Sequence, residues 1–162
     1  MVAVAELPED RWQDYRDLRL EALQREPTAF GSSYEEERDL PEEEWRRRIG
    51  TVLFGIEDGN PVGLISYSVS NRLKTKHIAH IYSVYVRPSA RRKGTGGLLL
   101  ASALDKIRAH GGVIKVQLSV NPAMRPAVRL YERGGFVVQM RSAKELFVAG
   151  TYHDLLYMET ML

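Results

Sequence analysis

Between Arg87 and Leu104 the chain reads RPSARRKGTGGLLLASAL: three consecutive cations, Arg91, Arg92 and Lys93, then Gly94, Thr95, Gly96 and Gly97, then an aliphatic run. A strand-like segment comes before and a helix-like segment after. Amides at the start of a helix are unpaired and carry the positive end of its dipole, and glycine lets a ligand come close to them. That order suits a bound phosphate. The segment matches neither the G-x-G-x-x-G dinucleotide fingerprint nor a Walker loop with its Gly-Lys-Ser/Thr ending. An ordinary strand-to-helix turn carrying solvated charge is the alternative for the local pattern.

The bulk composition limits what the phosphate can belong to. Of 162 residues, 44% are apolar, enough for a substantial core without disulfide or metal, and the simplest organisation is one domain over residues 1–162. Lys and Arg number 23 against 21 Asp and Glu, a net charge of +2, so the cationic run is local and no field for wrapping nucleic acid exists. The absence of cysteine excludes a disulfide scaffold, a thiolate metal site and a cysteine nucleophile. No serine lies in a nucleophile elbow, and no two histidines have metal-ligand spacing, so no metal is expected. The N-terminal MVAVAELPEDRW lacks a basic leader and no run of about 18 apolar residues occurs, which gives the expectation of a soluble, cytoplasmic domain with no membrane or nucleic-acid partner.

The elements that must position the glycine segment follow from patterning. MVAVAEL alternates like a short strand, and Pro8 opens a long amphipathic helix with Trp12, Tyr15, Leu18 and Ala22 at helical spacing. TAFGSSYEEERDL is loop-like. PEEEWRRRI, acidic at its start and basic at its end, is a second helix. TVLFGIE and VGLISYSVS flank the turn DGNP as a hairpin, and HIAHIYSVYV is a further strand. GGLLLASALDKIRAH is a helix stopped by Gly111 and Gly112, VIKVQLSV a strand, PAMRPAVRLYER a helix stopped by Gly134 and Gly135, and the remainder a pair of strands around Gly150. This predicts an α/β (α+β) fold: a mixed, mostly antiparallel sheet of about seven strands with about four helices.

These residues carry a family resemblance. YVRPSARRKGTGGLLL resembles the acyl-CoA-binding signature of the GCN5-related N-acetyltransferase (GNAT) family, Arg/Gln-x-x-Gly-x-Gly/Ala, met by Arg91, Gly94 and Gly96. LSVNPAMRPAVRLYERGGF resembles the last block of that family, met by Ala127, Tyr131, Gly135 and Phe136. The order of elements agrees with the family fold over essentially the whole chain.

The resemblance implies a set of roles. The strand before the loop pairs its backbone at Val84, Tyr85 and Val86 with the pantetheine arm of acetyl-CoA, and an amide at or near Val84 faces the thioester oxygen. The amides of Arg92, Lys93, Gly94, Thr95, Gly96 and Gly97 hold the pyrophosphate, with Arg91, Arg92 and Lys93 adding charge. Tyr131 is the general acid for the departing thiolate. Many family members carry an Asn seven residues before this tyrosine; here that residue is Met124, and Asn121, at the strand end, stands either as its substitute or as a helix N-cap. His80 takes the position where some members have a glutamate base, and strand alternation puts His80, Tyr82, Val84 and Val86 on one face unless a bulge intervenes. A water chain is the alternative base, and His77 and His153 are weaker candidates.

The expected reaction is direct transfer of acetyl from acetyl-CoA to a primary amine, on a small molecule or a peptide. A non-catalytic acyl-CoA sensor is the rival reading, and Tyr131 separates the two because a binding module needs no proton donor at sulfur. In the family the acceptor is framed by segments corresponding here to AFGSSYEEERDL and RSAKELFVAGTYHD. The glutamates of the first suit a cationic amine, or form a solvated acidic loop. Family members are often dimers, which leaves a homodimer open.

Overall fold

A two-residue turn sets the register of the first hairpin. Asp58 (φ 50°) and Gly59 (φ 77°) are both left-handed, as a type I′ connection requires, and they join Val52–Glu57 (β2) to Asn60–Val69 (β3). The computed structural model describes residues 1–162 throughout. Ala3–Ala5 (β1) pairs with β2, and Ile78–Val86 (β4) with β3, both antiparallel. β4 also pairs in parallel with Lys115–Val120 (β5), and the crossover this demands is the helix Thr95–His110 (α4). Val137–Val148 (β6) and Thr151–Met161 (β7) complete a seven-stranded sheet in the order β1-β2-β3-β4-β5-β7-β6, antiparallel at every other pair.

The helices are Trp12–Arg25 (α1), Tyr34–Glu37 (α2), Glu42–Ile49 (α3), α4 and Arg125–Arg133 (α5). Five therefore replace the expected four. The extra one, α2, lies in the segment read as loop. Its signature is present in the residues: Ser33 Oγ accepts the Glu36 N–H and the Glu36 carboxylate accepts the Ser33 N–H, a capping box that makes one turn stable.

Two apolar layers sandwich the sheet. On one face Leu99, Leu100, Ala103 and Ile107 of α4 and Tyr131 of α5 pack on Leu53, Ile65, Ala79, Ile81 and Val116. On the other, Tyr15 and Leu18 of α1 and Trp45 and Ile49 of α3 pack on Phe54, Leu64 and Tyr85. β2 and β3 are buried on both faces, which is why they read as continuous apolar runs rather than alternations.

β4 changes faces part-way along. Ala79 and Ile81 point into the α4/α5 layer, yet Tyr85 points into the α1/α3 layer, while Val84 and Val86 pack against the former. Strict alternation would keep residues 79, 81 and 85 together. The cause is a bulge at Ser83 (φ 55°), where the register against β3 slips between Leu64 and Ser66. The expectation that His80, Tyr82, Val84 and Val86 share a face is thus corrected: His80 and Tyr82 lie on the side opposite Val84 and Val86.

Candidate active site

The bulge sits where β4 and β5 part. Their parallel pairing runs only from Ile78–Lys115 to His80–Gln117, whereas β4 stays on β3 to Val86 and β5 stays on β7 to Val120. From Ile81 onward one edge of β4 is open. Arg87 N–H donates to the Val62 carbonyl (2.8 Å), so alternation turns the Tyr85 amide toward β3 and the Val84 and Val86 amides toward the open edge. A pocket occupies the gap, lined by Ala29, Ser83, Val84, Asn121, Met124 and Tyr131 among others.

The open edge leads directly to the glycine loop. None of the six amides from Arg92 to Gly97 donates to a carbonyl of the protein; the first paired one is Leu98, whose N–H reaches Gly94 O at 3.0 Å. Arg92 (φ 62°) and Gly94 (φ 80°) are left-handed, and the intervening turn wraps the amides around the N-terminus of α4. Thr95, buried, ties the turn to its base by donating its hydroxyl to Ala90 O (2.9 Å). A Cβ on Gly94 or Gly97 would meet no protein atom, so the space before the amides is free, while one on Gly96 would come to 3.3 Å from the Leu130 side chain.

The cations divide their work. Arg91, though exposed, is engaged by the protein: its Nε donates to Val86 O (2.7 Å), its Nη2 to Glu26 (2.9 Å), and its guanidinium lies 5.8 Å from the Tyr85 ring centre. It braces the loop against α1. Lys93 lies 3.6 Å from Glu57, and Arg92 has no acidic partner.

Tyr131 is 5% exposed, in an edge-to-face contact with Phe136. Its hydroxyl makes no hydrogen bond to the protein and is not sealed from solvent, since no fully buried side-chain polar atom lacks a partner. It opens onto the pocket in the gap. Burial pushes its hydroxyl above the ordinary phenol value of 10.0. Asn121 lines the same pocket, but its amide is engaged: Nδ2 donates to Thr28 O (3.2 Å) and Oδ1 accepts the Ala123 N–H (2.9 Å). This is an Asx turn that ends β5; the N-cap of α5 is Met124. His80 is exposed and lines an adjoining groove with Gln117, which shares Ile81, Tyr82 and Ser119 with the pocket in the gap but does not include Val84, Asn121 or Tyr131. The structure thus groups Val84, Asn121 and Tyr131 and sets His80 across the sheet from them. His77 starts outside β4 and His153 lies in β7, neither on this pocket.

A second and larger pocket lies between residues 27–35 and the tip of the β6–β7 hairpin at 145–149, with Phe30, Tyr34, Glu35, Glu145 and Phe147 on its walls. Ala29 of the first pocket and Phe30 of the second are consecutive, so one short segment divides them. The glutamates of this region are mostly committed: Glu36 to the capping box and Glu37 to arginine. Glu35 and Glu36 are both exposed, and Glu35 alone of the three has neither a hydrogen-bond partner nor a cation.

Sequence reasoning found the apolar face of α1 but passed over its polar residues Arg19 and Glu21. Arg19 and Glu37, both buried, form a two-pronged pair, Nε to Oε2 and Nη2 to Oε1, each at 3.0 Å. Arg19 Nη1 continues to Ser83 Oγ at 3.1 Å. Glu21 accepts from the Tyr85 hydroxyl (2.9 Å) and from Arg87 Nε (3.1 Å). These partners are 18 to 66 residues apart, and only the fold brings them together.

Glu37 gives α1 a pH signature. Its burial opposes ionisation, but the hydrogen bond and charge of Arg19, with the charge of Arg48, outweigh it and hold the carboxyl below its ordinary value of 4.5. A lowered folded pKa adds stability that is complete above 4.5 and is lost as pH falls through the lowered value. Glu37→Gln is expected to cost about 3 kcal/mol at neutral pH by leaving Arg19 unpaired, with the difference from wild type shrinking in acid. Chemical denaturation from pH 7 to pH 3 measures this; a difference that is constant with pH contradicts it.

Comparison with known proteins adds the decisive observation: the sequence model of the acetyltransferase (GNAT) family matches residues 8–136, which hold the α1 brace, the glycine loop, the gap and Tyr131. The chain belongs to the GNAT family. A mycothiol acetyltransferase of Salinispora tropica is 32% identical over 95 residues, which is 59% of this chain and 31% of that protein. The chain therefore spans about a third of the length of that relative. The L-amino acid N-acetyltransferase AaaT of Escherichia coli is 25% identical over 119 residues, 70% of this chain and 73% of that one. Among solved structures, a GNAT-family acetyltransferase of Streptococcus pneumoniae superposes with a TM-score of 0.88 at 19% identity, covering 100% of this chain and 99% of its own. YncA of Salmonella typhimurium, a putative acetyltransferase solved with acetyl-CoA, does so at 0.86 and 19%, covering 100% and 94%. The expected GNAT fold is the one observed.

Proposed function

We propose that this GNAT-family chain transfers an acetyl group from acetyl-CoA to a primary amine. The observation that carries the proposal is the run of six unpaired amides at the N-terminus of α4, placed at the end of an open strand edge. Such a run supplies donors for a pyrophosphate, Gly94 and Gly97 leave the approach clear, and the edge amides of Val84 and Val86 offer a path for an extended amide-bearing arm. The residues present therefore fit the donor.

Acetyl-CoA supplies an activated acetyl: the amine nitrogen bonds to the carbonyl carbon, the carbon–sulfur bond breaks, and sulfur leaves with the electron pair. The chain contributes three things. The Val84 amide is a preorganised donor for negative charge that grows on the carbonyl oxygen. Tyr131 holds a proton for the sulfur; burial keeps the phenol neutral, so it is in the donating form without titration. The proton lost by the amine leaves on the opposite side of the sheet, to His80 directly or through water in the groove that His80 lines. Tyr131 is restored from solvent, and the proton count closes. Asn121 shapes the pocket wall through its turn. The acceptor enters from the larger pocket behind Phe30, whose walls combine aromatic rings with the single uncommitted acid Glu35.

Two measurements test the proposal. Acetyl-CoA at about 100 times its dissociation constant should stabilise the fold by about 2.7 kcal/mol, read as a rise in melting temperature. A panel of amino acids, polyamines, aminoglycosides and peptide N-termini, assayed for release of free CoA thiol, should reveal an accepted amine. No thermal shift would overturn the binding site, and tight binding without any accepted amine would favour an acyl-CoA sensor.

A further inference from the structure

We propose that Arg19 is a positioning residue: through Ser83 it fixes the β4 bulge that aims the Val84 amide at the thioester, and through Glu37 it ties that bulge to the segment walling the acceptor pocket. The inference rests on the reading of Val84 given above.

The first support is the identity of residue 83. A left-handed conformation at φ 55° is strained for a non-glycine residue, and glycine would take it freely. Serine offers one thing glycine lacks, its hydroxyl, and that hydroxyl accepts from Arg19 Nη1 at 3.1 Å. The strained position is thus held from α1 rather than by the sheet, whose register fails at this point. Residue 84, next along the chain, bears the amide on the open edge. A shift of a few tenths of an ångström at Ser83 moves that amide off the carbonyl oxygen, and donor alignment is what such a site depends on.

The second support is how Arg19 is itself held. Its guanidinium is committed on every side: both prongs to Glu37, the third nitrogen to Ser83, and its face 5.0 Å from the Phe30 ring centre. Arg19 and Glu37 have side chains only 7% and 6% exposed. A buried pair of this kind adds little net stability over apolar packing but imposes a single geometry. Its members come from three places that meet only at the gap: α1, the bulge of β4, and α2, which follows the Ala29–Phe30 divider. Phe30 and Glu37 bracket the acceptor-side segment, so occupancy of the larger pocket and alignment of the Val84 amide are mechanically linked through one side chain.

The test uses Ser83→Gly, which accepts the bulge conformation and removes only the hydroxyl, alongside Arg19→Lys. The probe is acetyl-CoA carrying a heavy-carbon label at the thioester carbonyl, followed by difference infrared spectroscopy. In the wild type the bound carbonyl stretch should move to lower frequency than in free acetyl-CoA, the signature of a hydrogen bond at that oxygen. In Ser83→Gly the shift should be lost or much reduced, turnover with the accepted amine should fall about tenfold, the scale of one misaligned hydrogen bond, and affinity for unacetylated CoA should be unchanged. Arg19→Lys, which cannot form the two-pronged pair, should act in the same direction. A full shift and full turnover in Ser83→Gly overturn the clamp. A wild-type carbonyl that does not shift overturns the reading of Val84 beneath it, so the two failures are distinguishable.

Discussion

Gly94→Val is expected to weaken acetyl-CoA binding by about 100-fold or more, a loss of roughly 2.7 kcal/mol, while the fold survives. Gly94 is the N-cap of α4 at φ 80°, a conformation in which a β-branched side chain is strongly disfavoured. Valine therefore pulls the turn toward negative φ and rotates neighbouring amides out of their common concavity. Nothing in the protein obstructs its Cβ, so the defect belongs to the ligand site and not to packing. Gly94→Asn, which tolerates the left-handed region, should lose far less. Lys93→Ala should cost only a few-fold, because Lys93 is half exposed and acts through screened charge. Gly96→Val should differ in kind: its Cβ would press on Leu130, neighbour of Tyr131 on α5, so turnover should fall along with affinity. Calorimetric titration of each variant, with melting temperatures as a control on folding, separates these outcomes. Equal, small losses at positions 93, 94 and 96 would mean that the backbone of this loop does not hold the phosphate.

What could be read from the residues, and what could not, follows from the range of the interactions. The geometry of the glycine loop was legible because it is local: a strand end, three glycines and a helix start lie within a dozen residues. β2 and β3 declared themselves as buried strands for the same reason, through short apolar runs around Asp58 and Gly59. The bulge at Ser83 had no such mark. A serine inside IYSVYV fits a plain strand, and its left-handed backbone is imposed by a slip against β3 and by an arginine 64 positions earlier. That single unread feature moved Val84 and Val86 to the side opposite His80. The glutamates at 35–37 show the same limit: as a string they suit a cationic acceptor, but one caps its own helix and one is spent on Arg19, leaving Glu35. Asn121 could be read as a stand-in for the family asparagine or as an N-cap; Met124 is the cap, and the Asn121 amide bonds Thr28 O across 93 residues, a contact no local pattern signals.

Tyr131→Phe is expected to lower turnover by about 100-fold with little change in acetyl-CoA affinity or stability. The stability part follows from contacts. The ring keeps its edge-to-face packing on Phe136, and the hydroxyl surrenders no hydrogen bond to the protein because it makes none. The kinetic part follows from position: the hydroxyl opens onto the gap where β4 and β5 separate, beside Val84, and a leaving thiolate formed there without a proton donor would be stranded in an apolar wall of Met124 and Ala127. The pH dependence discriminates further. Burial raises the phenol above 10.0, so Tyr131 remains protonated throughout the working range and contributes no falling limb below that pH. In the mechanism proposed above, an acidic limb arises from deprotonation of the acceptor amine and not from Tyr131. Tyr131→Phe should therefore lower the whole profile of kcat against pH without moving its limbs, measured at saturating acetyl-CoA from pH 6 to pH 9.5. A variant whose profile loses a limb would make Tyr131 a base rather than the acid. A variant with undiminished kcat would leave the sulfur to be protonated by solvent, and the pocket in the gap would then be a binding groove with no proton donor of its own.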